Sequence, residues 1–271
     1  MTVSCRPSGP KAIRTRGFPH PPGRKPAGCA LGAAGRPYAR AVLAEPSLTH
    51  RPEDGHSAPL LLWRFPEPVL AASTAVLGGG VGRCEWVINA SVPMSYARPD
   101  PANHLAELAA ALHLTGPGIG LLTGVDVHDM VATTEDGVEV CATVGLGAPI
   151  RAAEPGVTGF AHHPGTINIV IWIPQHLAPG ALLNIVATAT EAKTQALYAL
   201  GLHATGTATD AIAVLCPAAG PTAAYGGPRS RWGAPMSRAV YEAVHTGGHT
   251  NLTTGRSWSS RAAGPPADRR P

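Results

Sequence analysis

A chain of 271 residues has room for one large domain or two small ones, and 44% hydrophobic residues are enough for a sizeable core. Aromatic (5%) and charged (14%) residues are scarce, so Ala, Gly and aliphatic side chains must build that core, and no run of about 18 apolar residues offers a membrane span. The net charge of +4 is uneven: residues 1–58 hold nine Lys and Arg against three Asp and Glu, residues 256–271 hold four against one, and the middle is acidic. An acidic middle argues against nucleic acid as the main partner.

Residues 1–58 are rich in Pro, Arg and Gly, cannot offset their chain entropy by burial, and read as a disordered basic extension. A domain is expected over 59–250, with a disordered tail over 251–271. Leu60–Phe65 and Val69–Val76 predict two strands separated by Pro66 and Pro68. Gly78-Gly-Gly-Val-Gly82 lacks the Lys-Ser/Thr of a P-loop, and Arg83 replaces the third glycine of a dinucleotide fingerprint. Trp86–Asn89 is a strand, and Asp100-Pro101 opens a helix to about Leu114, with Asp100 as N-cap. Strands follow at Gly120–Asp126 and Glu139–Gly145, and a Gly/Pro-rich loop spans 151–164.

The organising stretch is Thr166 to Pro217. Strand Thr166–Ile173 leads to a helix from Pro179 to about Leu200, and Gly206-Thr-Ala-Thr-Asp210 leads into strand Ala211–Leu215. Leu182, Ile185, Ala189, Ala196 and Leu197 form a core-facing stripe, while Asn184, Thr188, Glu191 and Gln195 share a polar one. A helix over 232–245 closes the ordered part. Trp86–Asp126 and Thr166–Asp210 echo each other, with Asn-to-Asp separations of 37 and 42 residues. The echo predicts a duplicated β-α-β unit about a pseudo-twofold axis, with Asn89, Asp126, Asn168 and Asp210 turned towards one cleft. The expected class is α+β, a mixed sheet packed with helices.

The cysteines are Cys5, Cys29, Cys84, Cys141 and Cys216, odd in number and without a C-x-x-C pair. Reduced thiols in a cytoplasmic protein fit better than a disulfide framework or a zinc site. No G-x-S-x-G elbow and no H-E-x-x-H occurs; His162 and His163 are adjacent, and His104 and His128 read as surface or capping residues. No metal site is expected.

Eight short stretches carry a resemblance: Trp86-Val-Ile-Asn89, Asp100-Pro101, Leu122-Thr-Gly-Val-Asp126, Ala142-Thr-Val-Gly145, Gly165-Thr-Ile-Asn-Ile169, Thr190-Glu-Ala-Lys193, Gly206-Thr-Ala-Thr-Asp210 and Tyr225-Gly-Gly-Pro-Arg-Ser230. In this order, from about Leu60 to Gly247, they resemble the adenosylcobinamide amidohydrolase family of corrinoid salvage. The resemblance implies hydrolysis of the amide between the aminopropanol arm and the corrin ring, giving adenosylcobyric acid. Glu191 and Asp210 are the carboxylates in its central motifs and the candidate general bases, and Lys193 can neutralise them or face an oxyanion. The three residues fit a structural ion-pair network as well. Thr166, Thr190, Thr207 and Ser230 offer alternative nucleophiles, and together with Asn89, Asp126 and Asn168 they are the expected substrate contacts. Asp126-Val-His128 starts like the cobalt-ligating Asp-x-His-x-x-Gly motif, but Val131 replaces Gly, so the corrin is expected as substrate, with no separate cofactor. A corrinoid carrier without turnover and an amidase for another amide are the rival readings.

Overall fold

The computed structural model describes residues 43, 45–155 and 165–259. The extension up to residue 42, the pair His162–His163 and the tail beyond 259 lie outside them.

Strand structure begins before Leu60. β1 (Ser47–Glu53) and β2 (His56–Ser73) form an antiparallel hairpin that turns at Asp54 and Gly55, both with positive φ. A charged segment that reads as linker is held because its charges are satisfied. Arg51 donates to the Ser91 carbonyl at 2.7 Å and pairs with Glu53 at 3.0 Å, which in turn meets His104 at 3.3 Å. β2 is one strand in place of the two expected. Its pairing with β3 (Gly80–Ser91) shifts between Arg64 and Val69, and this bulge accommodates Pro66 and Pro68. Gly80 and Gly82 open β3 as paired strand residues.

The chain continues through α1 (Pro101–Ala111), β4 (Gly118–Thr123), a short 3-10 helix (Val127–Asp129), β5 (Val131–Glu135) and β6 (Val138–Val144). Then come β7 (Ile167–Trp172), α2 (Pro179–Ala199), β8 (Ala211–Cys216) and α3 (Gly233–Thr254). Pro101 and Pro179 stand in the first turns of their helices, where a missing N–H costs nothing. Asp100 is at the N-cap of α1, yet its carboxylate binds Arg98 at 3.2 and 3.1 Å instead of the helix. α3 runs past its expected end at His245, and Gly247 and Gly248 beyond it are buried contacts. A Cβ on Gly247 would lie 2.9 Å from Val144, and one on Gly248 2.5 Å from Leu200.

The strands form one mixed sheet in the order β4-β3-β2-β8-β7-β6-β5, with β1 beside the first half of β2. With three α-helices packed against it, the fold is α+β. Side chains alternate across each strand. Ile167, Ile169 and Ile171 point to α2 and α3, and Trp86 and Ile88 pack with Leu105 of α1. The other face joins Leu61, Trp63, Val87 and Leu121 to Val170, Trp172, Ala213 and Leu215 in a second core. The units β3-α1-β4 and β7-α2-β8 are both parallel pairs bridged by a helix, of 11 and 21 residues. The expected equivalence does not extend to the aspartates: Asp126 follows β4, whereas Asp210 precedes β8.

Candidate active site

The end of β3, the end of β4, the end of β6 and the starts of β7 and β8 meet at one end of the sheet. Asn89 of β3 donates to Thr143 of β6 at 3.1 Å. Asn168 of β7 donates to Asn89 at 2.9 Å and to the Leu122 carbonyl of β4 at 2.9 Å, so both of its amide hydrogens are used. β4 and β7 are not sheet neighbours; the asparagines lace them together. A Cβ on Gly145 would lie 2.7 Å from Val125 and 3.3 Å from the Thr166 nitrogen, which places the 124–126 turn against Thr166.

Asp210 stands at the head of β8 with its carboxylate saturated. One oxygen accepts from the Ile167 amide at 2.9 Å and the Thr207 hydroxyl at 2.6 Å; the other accepts from the Thr207 amide at 3.0 Å and from Lys193 of α2. Lys193 and Asp210 keep only 7% and 10% side-chain exposure, so this is a buried ion pair. The Thr207 hydroxyl lies 2.7 Å from the Gly165 carbonyl, and Thr166 bonds Thr209 at 2.7 Å. A carboxylate with four donors is an electrostatic anchor that ties its neighbours together. Lys193 has further hydrogens to give.

Glu191 does not join this cluster. It is exposed, on the opposite side of α2 from Lys193, in a groove of about 520 Å³ with Thr190, Thr194, Gln195 and Tyr198. Thr190 returns its hydroxyl to the Val186 carbonyl at 3.0 Å. Thr188 of the same polar stripe is buried against the Gly226 carbonyl at 3.2 Å. Ser230 lies at the other end of the sheet. Its oxygen accepts from the Gly233 amide at 3.0 Å at the start of α3, beside a cavity of about 920 Å³ lined by Asn184, Tyr225 and Trp232.

His128, expected as a surface or capping residue, is exposed and bonded to Asp126. Buried Asp126 accepts from its backbone amide at 3.0 Å and lies 2.5 Å from its Nδ1, while the imidazole stays 41% exposed. The available signal was the Asp-x-His spacing just past a strand end, where one carboxylate reaches both the amide and the ring.

Burial pushes the thiols of Cys84 and Cys141 up to about 12 and that of Cys216 to about 11, which leaves none of these three a neutral-pH thiolate. Among the described residues no group of three His, Cys, Asp or Glu converges as metal ligands, and no helix is long and apolar enough to cross a membrane.

A family model described as adenosylcobinamide amidohydrolase matches residues 45–255. The adenosylcobinamide amidohydrolase of Methanosarcina mazei is 30% identical over 186 residues, 65% of this chain and 88% of its own. That of Halobacterium salinarum is 35% identical over 176 residues, 61% of this chain and 74% of its own. The PH0078 protein from Pyrococcus horikoshii OT3 aligns over 78% of this chain and 85% of its own at 11% identity and a TM-score of 0.40, a likeness that fixes nothing about activity. The motif stretches, their order and the match across most of the sequence agree: this chain belongs to the adenosylcobinamide amidohydrolase family.

Proposed function

We propose that this chain hydrolyses the amide joining the aminopropanol arm to the corrin ring of adenosylcobinamide, releasing adenosylcobyric acid and the amino alcohol. The observation that carries the reading is a coincidence of sequence and space. The family match spans 45–255, and Asn89, Thr166, Asn168, Lys193, Thr207 and Asp210, scattered over more than 120 positions, gather at one sheet end. Amide hydrolysis needs charge stabilisation on the carbonyl oxygen as water adds. Lys193, oriented by Asp210, supplies a fixed cation for that oxygen. Thr166 and Thr207 belong to the same hydrogen-bonded cluster. Residues 59–255 hold eight basic against thirteen acidic residues, a balance that suits a corrinoid cationic at cobalt.

Incubating the purified protein with adenosylcobinamide and reading the corrinoid by mass spectrometry tests this. Adenosylcobyric acid in the wild-type reaction, absent from a Lys193→Met reaction, is the expected result. Corrinoid bound but unchanged would replace the hydrolase with a carrier.

A further inference from the structure

Asp210 is saturated, so among the described residues of the cluster above no carboxylate is left to take a proton from water and return it to the leaving nitrogen. Asp126 and His128 have the geometry for it. Asp126 is buried, with 4% of its side chain exposed, and follows Val125, whose side chain shares the neighbourhood of Gly145 with Thr166. With Asp126 as the acceptor, the hydrogen of the 2.5 Å contact resides on Nδ1 of His128. That tautomer leaves the Nε2 lone pair on the 41% exposed face of the ring. This imidazole meets Asp126 and His50 of β1, whose ring centroid is 5.9 Å away, and Asp129 is its neighbour along the 3-10 helix. A turn-capping role alone does not account for the ring. The backbone amide of His128 satisfies the cap at 3.0 Å, and the imidazole could turn to solvent, yet it folds back onto the same carboxylate oxygen.

We infer that His128 is the proton-transfer residue of the hydrolysis and Asp126 its positioning residue; the inference rests on the hydrolytic reading above. Nε2 accepts a proton from water as the water oxygen bonds to the amide carbon and the carbonyl π pair moves onto oxygen. The imidazolium returns that proton to the amide nitrogen as the carbonyl re-forms and the C–N bond breaks. Acid and amine leave, water is consumed, and the histidine is regenerated.

The test uses the full chain as wild type, His128→Gln, His128→Ala and Asp126→Asn. Turnover of adenosylcobinamide, its equilibrium binding and thermal unfolding are measured on each. General acid–base catalysis is worth about 100- to 10,000-fold, so His128→Gln should lower kcat by at least about 100-fold while corrinoid binding holds. Asp126→Asn keeps a good capping side chain and should still lower kcat with binding unchanged, since an amide no longer fixes the Nδ1–H tautomer. Added imidazole should restore part of the activity of His128→Ala, and the one-proton acid limb of the wild-type kcat profile should be missing in His128→Gln. Wild-type turnover with His128→Gln and Asp126→Asn both nearly as fast would overturn the inference and leave the hydrolase standing. Loss of turnover that tracks a lowered Tm, with no imidazole rescue, would assign His128 a structural role instead. A wild type that leaves adenosylcobinamide intact would bring down the hydrolytic reading and this inference together.

Discussion

Asp126 and Asp210 stand beside the two β-α-β units, both largely shielded from solvent, and their partners make them opposites. Asp210 is ringed by backbone amides, a hydroxyl and Lys193, all of them tied into β7, β8 and α2. Asp126 sends one oxygen to a ring that is almost half exposed. Burial therefore means different things at the two sites. Around Asp210 it holds three elements together and fixes a cation; around Asp126 it backs a side chain that reaches outward. The unit built on β7 is anchored at its aspartate, whereas the unit built on β3 is anchored through Asn89 and keeps its aspartate for orientation.

Removing the Asp210 charge breaks this contrast most strongly. Asp210→Asn leaves Lys193 buried opposite a neutral amide, and losing one partner of a buried pair costs about 3–5 kcal/mol. Asp126→Asn keeps the cap and should cost about 1 kcal/mol. Urea unfolding of both variants measures the difference. Equal losses would erase the distinction between anchor and positioning residue.

The lacing of β7 to β4 is the next largest effect. Asn168→Ala removes two donors and strands the Leu122 carbonyl and the Asn89 oxygen, at about 1–3 kcal/mol each before relaxation. The expected total is about 2–3 kcal/mol by urea unfolding, with Asn89→Ala costing less because Asn168 keeps its bond to Leu122. A loss below about 0.5 kcal/mol would mean that the sheet holds this end without the asparagines.

Gly206→Ala sharpens the comparison from the Asp210 side alone. Its Cβ would lie 2.3 Å from Asp210 Oδ2 and 2.5 Å from Lys193 Nζ, so the pair must part or the loop must shift. Overpacking of this kind costs about 1–3 kcal/mol. The lysine is the more flexible partner and should move, lowering kcat while the Asp126–His128 contact stays intact. Unchanged kcat would remove Lys193 from the reaction.

Local signals carried much of this fold into the sequence. Pro101 and Pro179 mark helix starts, and the alternating or unbroken apolar runs at 86–89, 167–172 and 211–216 became strands. What stayed hidden depends on partners far along the chain. β1 is ordered because Ser91 and His104 receive its charges, and α3 outlasts Gly247 because glycine there admits Val144 and Leu200. The same division runs through the site. Asn89 and Asn168 bond each other while the aspartates of the expected duplication fall at non-equivalent places, and the saturation of Asp210 needs atoms from Ile167 and α2, which no motif spacing reveals. The exposure of His128 is legible as that of a surface or capping residue, whereas the ring's return to Asp126 needs the fold of the 3-10 helix.

The smallest expected effect separates two carboxylates that look alike in the sequence. Glu191 and Asp210 both sit in motif stretches, yet Glu191 is exposed on the far side of α2, in the groove with Thr194, Gln195 and Tyr198. An exposed acid has no buried neighbour that collapses when it is neutralised. Glu191→Gln should therefore change unfolding free energy by less than about 0.5 kcal/mol and leave turnover of adenosylcobinamide within about twofold of wild type. A stable Glu191→Gln protein that had lost turnover would move the reaction to the outer face of α2. In that case the Asp210 and Asp126 clusters would both be scaffolding, one holding the helix and the other the turn.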